Sequence, residues 1–163
     1  MSFQVFKQCQ DWDCANQAVA FVAAMMGKLN KMPYVKYVED EEFVKAEPSE
    51  GASHGEVWKA LHKLGLEPLE LIDRIKLPCI VNYLVANKEG EIDGHYAVIF
   101  SELGDEYMLY DPSDGCIKTI GKTDFERIWK SFRYPPDRWS VNFTVRERDI
   151  RAQANSGISG RLS

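Results

Sequence analysis

The chain reads as an α+β domain, with helices first and an antiparallel sheet after them. Two observations predict this. Before residue 66, apolar residues recur at helical spacing, in Ala18, Phe21, Val22 and Met25 and again in Val57, Leu61 and Leu64. From Leu77 onward the period changes to short runs rich in β-branched and aromatic residues, separated by turn sequences. Helices and strands segregated along a chain, rather than alternating, indicate α+β.

Each element follows from local signals. Residues 1–7 are a short lead-in with a strand at 3–6. A helix starts at or just before Cys14, with Asp13 or Asp11 as its cap, and Gly27 ends it in a left-handed turn. Residues 28–50 are mixed. Pro33, the acidic run at 39–42 and Pro48 mark loops, with room for a short helix at 41–46. Ser53 and Glu56 form a capping box for a second helix, which Gly65 stops. Residues 66–72 read as a strand leading into a turn, and 78–85 as another strand. Residues 87–94 form a polar loop with two glycines, and 95–100 a strand apolar on both faces and so central. Gly104-Asp105 turns the chain into a strand at 107–110. Asp111-Pro112-Ser113-Asp114-Gly115 is a strong turn sequence, and 116–120 returns as a strand. Thr123 and Glu126 form a second capping box, opening a short helix through Trp129; after a break at Tyr134-Pro135-Pro136-Asp137, residues 139–145 are the last strand.

Composition narrows the function classes. A length of 163 residues suits one domain with a real core, read as 1–145, followed by a polar tail at 146–163 with no core of its own. The net charge of −5, with Lys and Arg scattered, disfavours nucleic acid as a partner. No apolar stretch approaches a membrane span, and the N-terminus lacks a signal pattern, so the expectation is a soluble, cytoplasmic protein. Four irregularly spaced cysteines, Cys9, Cys14, Cys79 and Cys116, do not make a disulfide framework.

One set of residues points to thiol chemistry. Cys14 opens a helix, where the helix dipole favours a thiolate. The bland alternative is a small buried hydrophobe. Gln8, six residues upstream, has a side-chain amide that can donate to an oxyanion forming beside the sulfur. A thiol nucleophile needs a base, and a third group to hold that base. His54 and His62 lie among charged residues on the second helix and read as surface residues. His95 opens a strongly apolar strand, where an imidazole is costly unless partnered. Asp111 ends the next strand, and antiparallel pairing brings the start of one strand beside the end of its neighbour. Asp111 also reads simply as an Asp-Pro turn starter, and His95 as a satisfied sheet-edge residue. Zinc held by Cys9, Cys14 and a histidine would lack any CxxC pair, and the 111–115 turn lacks the ligands of a calcium loop. No phosphate-binding glycine loop is present. No cofactor and no metal are expected.

These residues together resemble the bacteriocin-processing, double-glycine peptidase family, a branch of the papain-like cysteine peptidases. Gln8, five residues and then Cys14 is similar to its amino-terminal motif. The block from Gly51 to Leu66 resembles its second helix. Leu77-Pro78-Cys79-Ile80-Val81 and Gly94-His95-Tyr96-Ala97-Val98-Ile99 resemble the strand pair that carries its histidine. Tyr110-Asp111-Pro112-Ser113-Asp114-Gly115 resembles its Asp-Pro segment, and Phe125 to Trp129 its closing helix. The resemblance covers roughly residues 6–130. It implies a papain-like fold, N-terminal helices packed on an antiparallel sheet. It also implies Cys14 as nucleophile, His95 as general base, Asp111 as its orienting group and Gln8 as oxyanion donor. The chain departs from the family in Asp13-Cys14-Ala15-Asn16-Gln17, where the family has Asp-Cys-Gly and then small apolar residues. It has no room for the membrane transporter fused to the best-known members, so a stand-alone soluble form is expected.

The expected function is hydrolysis of a peptide or isopeptide bond in a peptide or protein substrate. Two alternatives remain open at this stage. The same triad would serve acyl transfer or amide hydrolysis on a non-peptide substrate, or the fold would be a non-catalytic binding module. The oligomeric state is not written in the sequence.

Overall fold

The computed structural model describes residues 13–27, 43–44, 51–86, 89–131 and 133–145. The expected strand at 3–6, most of the segment 28–50 and the tail 146–163 lie outside the described residues.

Helix α1 spans Cys14–Met25 and is buried on every side from Cys14 to Ala23. The expectation was one apolar stripe. Four alanines in this run, Ala15, Ala18, Ala20 and Ala23, instead let neighbours approach the helix all round. Asp13 occupies the N-cap position but its side chain makes no cap bond. Its carboxylate Oδ2 accepts from the Gln17 side-chain amide at 3.0 Å. Gly27, at φ +66°, ends the helix as expected.

Helix α2 spans His54–Lys63, and the Ser53 hydroxyl accepts the Glu56 backbone N–H at 3.2 Å. Val57, Ala60 and Leu61 form its buried face. The reading of His54 as a surface residue is corrected: it is buried, stacked on Trp139 with ring centroids 4.1 Å apart and an interplanar angle of 5°. Its charged neighbours are on α2, but the ring turns inward to a sheet residue far away in sequence. His62 is exposed as expected, its ring stacked on Trp58.

Six strands follow: β1 Leu66–Ile72, β2 Cys79–Ala86, β3 Ile92–Leu103, β4 Glu106–Asp111, β5 Cys116–Gly121 and β6 Trp139–Val145. They form one antiparallel sheet in the order β1-β6-β2-β3-β4-β5. The hairpins β2-β3, β3-β4 and β4-β5 agree with the sequence reading. The position of β6 between β1 and β2 does not follow from chain order. Its first five residues are all buried, which suits a central strand, whereas β1 carries Pro68, Glu67 and Glu70 and suits an edge. β3 starts inside the stretch read as a polar loop, because Ile92 and Asp93 pair with Ala86 and Val85. Between β5 and β6 lies α3, Lys122–Ile128, capped at Gly121 rather than at Thr123.

Both faces of the sheet are covered. α1 and α2 pack on one face, over Tyr96, Val98, Tyr110 and Val141. α3 and Trp129 cover the other, over Val81, Ala97, Ile99 and Leu109. Side chains of β3 therefore alternate between two cores, which is why its sequence is apolar without a polar face. This arrangement fixes the start of α1, the start of β3 and the end of β4 as rigid platforms for side chains.

Candidate active site

Cys14 is the first residue of α1, and 6% of its surface is exposed. His95 lies near the start of β3 and Asp111 ends β4, both buried. The β3-β4 register pairs Val98 with Tyr110, so the end of β4 runs alongside the start of β3. His95 Nε2 and Asp111 Oδ1 are 2.6 Å apart. The Cys14 sulfur is near enough to the same imidazole for the two to interact electrostatically. With Nε2 held by the carboxylate, Nδ1 is the ring nitrogen left for the sulfur. Cys14, His95 and Asp111 are thus neighbours. Gln8 and Cys9 lie outside the described residues.

The carboxylate is held from several sides. Asp111 Oδ1 also accepts from the Ser113 backbone N–H at 2.9 Å and the Ser113 hydroxyl at 2.7 Å. Lys118 Nζ donates to Oδ2 at 3.1 Å and to Asp114 Oδ2 at 2.5 Å. The Asp-Pro-Ser-Asp-Gly turn read from sequence therefore has a second use. It turns the Asp111 side chain back on its own loop and leaves one lone pair aimed at His95.

Electrostatics follow from this geometry. Burial pulls the His95 imidazole down, but the hydrogen bond to Asp111 and the nearby Asp111 and Cys14 groups outweigh burial and push it up to about 10. Burial alone would raise the Asp111 carboxyl. The His95 bond and charge and the two Ser113 bonds instead hold it well below the usual carboxylate range. Both shifts act in the same direction, favouring an imidazolium beside a carboxylate.

Tyr83, on β2, is the ladder partner of His95, and its ring meets the imidazole edge-on at 5.6 Å and 80°. Only 5% of Tyr83 is exposed, so it shields the imidazole from water. Sequence reasoning missed Tyr83, Ser113 and Lys118 as parts of the site. Ser113 carried a signal, two residues after an Asp in a turn. Tyr83 and Lys118 needed strand register, which the sequence does not print.

Asn16 and Gln17, the residues that depart from the family pattern, are buried and partnered. Asn16 Oδ1 accepts the backbone N–H of Phe43 at 2.6 Å and of Val44 at 3.1 Å. It ties a segment 27 residues away to the first turn of α1. Gln17 holds Asp13, next to Cys14. Cys79 is fully buried in β2, and burial pushes its thiol well up, so it is inert; Cys116 is exposed. Among the described residues, no group of three or more His, Cys, Asp or Glu side chains is arranged to hold a metal ion. No described helix is long and apolar enough to cross a membrane.

Two helices over one face of a six-stranded antiparallel sheet are the α+β arrangement of a papain-like cysteine peptidase. Residues 2–133 match the Peptidase C39 family, and the chain belongs to it. It is 36% identical over 103 residues to the SPbeta prophage-derived sublancin-168-processing and transport ATP-binding protein SunT of Bacillus subtilis (strain 168). The match to the corresponding protein of Bacillus phage SPbeta has the same identity and length. These matches take in 56% of this chain and only 14% of each relative. The fold is similar to the peptidase domain of Streptococcus ComA, a bi-functional ABC transporter involved in a quorum sensing pathway. There the TM-score is 0.59 at 17% identity, over 89% of this chain and 100% of that one. It is also similar to a double glycine motif protease from an AMS/PCAT transporter in complex with its leader peptide. In that case the TM-score is 0.60 at 18% identity, over 87% of this chain and 91% of that one.

Proposed function

We propose that the chain cleaves a peptide or isopeptide bond through Cys14, His95 and Asp111, with Gln8 as oxyanion donor. The observation that supports this reading is the 2.6 Å His95 Nε2–Asp111 Oδ1 contact, with the helix-start Cys14 beside the same imidazole. The imidazolium beside the sulfur favours the thiolate, which attacks the carbonyl carbon. Negative charge develops on the carbonyl oxygen, where the Gln8 amide donates. His95 gives its proton to the leaving amine as the C–N bond breaks, leaving a thioester on Cys14. Water then attacks the thioester, His95 takes its proton, and the carboxylic acid product leaves with the thiolate restored. Asp111 keeps the ring oriented throughout. Tyr83 keeps water from the buried side of the imidazole.

A peptide substrate is supported by the leader peptide bound in the similar transporter protease. The test is an incubation with a diverse peptide pool, followed by mass spectrometry of the products. Discrete cleavage that disappears in Cys14→Ala supports the reading. Cleavage unchanged in Cys14→Ala refutes it. Transfer of the acyl group to an added amine, in place of water, would redirect the same thioester chemistry to acyl transfer.

A further inference from the structure

Asp111 is a crowded carboxylate. Its Oδ1 accepts from His95 and twice from Ser113, at 2.6, 2.9 and 2.7 Å. Its Oδ2 faces Lys118 at 3.1 Å. The two oxygens therefore have different tasks. Ser113 already fixes the rotation of the carboxylate through a backbone and a side-chain bond on the oxygen that meets His95. Lys118 meets the other oxygen, away from the one that His95 and Ser113 share. What it adds is a positive charge on the far oxygen.

We infer that Lys118 is a positioning residue for the thiol chemistry that acts by charge, offsetting part of the Asp111 carboxylate and so limiting how tightly His95 holds its proton. The inference rests on the proposed roles of His95 and Asp111. Three features of the structure support it. Lys118 comes from β5, on the opposite side of the carboxylate from the imidazole, and the β4-β5 register fixes it there by pairing with Leu109, while Asp111 pairs with Cys116. The same ammonium binds Asp114, so it balances two carboxylates of one turn. Among the described residues, the titratable groups facing the imidazole–carboxylate pair include Cys14 from α1, Tyr83 from β2, Tyr110 from β4, Asp114 from the turn and Lys118 from β5. Of these, Lys118 is the cation.

Such a counter-charge has a chemical use. His95 must protonate the departing amine and later take a proton from water. An imidazole bound too firmly to its proton by an unmasked carboxylate serves the first step and fails the second. Removing Lys118 exposes Asp111 and frees Asp114 beside it, and both changes act in the same direction, toward a more basic imidazole. The Lys118 side chain is 41% exposed, so water screens much of the effect. The expected change is a rise of roughly half a pH unit in the His95 titration.

The experiment is an NMR titration of the His95 ring in the wild-type protein and in Lys118→Met, Lys118→Gln, Lys118→Arg and Ser113→Ala. The His95 signal is assigned by its loss in His95→Gln. The rate of Cys14 alkylation by iodoacetamide is followed on the same samples across pH. A higher His95 titration in both neutral variants, with Lys118→Arg at the wild-type value, is the expected result. Ser113→Ala, which loosens orientation instead, is expected to move it down. An unchanged titration in Lys118→Met and Lys118→Gln overturns the inference, since the pair would then be a surface contact only. A downward shift overturns it too, since Lys118 would then be holding geometry. The NMR signal does not depend on Cys14 reactivity. A His95 shift without any enhanced Cys14 alkylation would keep the charge relation and sink the peptidase chemistry of Cys14, so the two failures are distinguishable.

Discussion

Lowering the pH should destabilise this protein through His54, a residue away from the thiol. The ring is buried against Trp139, with Nδ1 2.9 Å from the Tyr96 hydroxyl and Nε2 3.1 Å from the Ser131 hydroxyl. Burial lowers its pKa from 6.5 to about 4, against a smaller opposing influence of the Pro136 and Tyr134 backbone. The unfolded chain therefore takes up the proton first. Stability from the neutral ring is fully present above pH 6.5 and is lost as pH falls toward 4. One proton over that interval costs about 1.4 kcal/mol per pH unit, so about 3 kcal/mol in all. The assay is urea unfolding between pH 7.5 and 4, roughly, on wild type and His54→Gln. The variant is less stable at neutral pH, and its curve should be flatter by that amount across the window. Parallel curves would refute the argument, because they would mean that His54 titrates alike in both states. The hydroxyl protons sharpen the test. Tyr96 donates to the Ala52 carbonyl and Ser131 to the Pro136 carbonyl, both at 2.8 Å. A neutral ring donates to one hydroxyl, so the other must give up its carbonyl and turn its proton toward the ring, whereas a protonated ring donates to both and leaves both carbonyl bonds in place.

Further outcomes follow from the same contacts. Asn16→Ala strips the acceptor from two backbone N–H groups at Phe43 and Val44 and should cost about 2–6 kcal/mol in urea unfolding, at about 1–3 kcal/mol for each orphaned donor; a loss under roughly 0.5 kcal/mol would show that the segment repairs itself. Asp111 is held below its usual range, so its stabilisation is present above about pH 4 and is lost as pH falls further; Asp111→Asn should flatten that acid limb of the stability curve. In turnover, His95→Ala should be nearly as severe as Cys14→Ala, and Asp111→Asn milder than either, measured as kcat/KM on one peptide substrate. Gln8→Ala should lower kcat by about two to three orders of magnitude with little change in KM, the usual loss for one oxyanion donor.

Much of the fold was legible because local signals agreed with it. Ser53 and Gly65 bracket α2, and the Asp111–Gly115 turn stops β4, as the residues alone suggest. Thr123 and Glu126 misled, because a capping box can sit inside a helix whose first turn is set by the preceding strand; Gly121 ends β5 and caps α3 at once. The sheet order was not legible. Nothing near Trp139 says that its strand enters between two others, and that insertion also hides His54, which reads as a surface residue until Trp139 stacks on it. The site divides in the same way. Cys14, His95 and Asp111 announce themselves by position: a helix start, the first turn of an apolar strand, and the end of the next. Tyr83 and Lys118 become part of the site only through ladder register, a property of two strands together. Asn16 looked like a departure from the family pattern. Its reason is a backbone segment 27 residues downstream.

The central claim, that Cys14 is the activated thiol, is tested most directly by alkylation at mildly acidic pH. At about pH 6 an ordinary exposed thiol is almost wholly protonated and reacts slowly. Cys116 is exposed and Cys79 is buried. The measurement is the rate of iodoacetamide labelling of each cysteine by peptide mapping, in wild type and His95→Ala. The account predicts that Cys14 labels first in the wild type and loses that lead in His95→Ala. Labelling of Cys116 ahead of Cys14, or a Cys14 rate indifferent to the loss of His95, would contradict it.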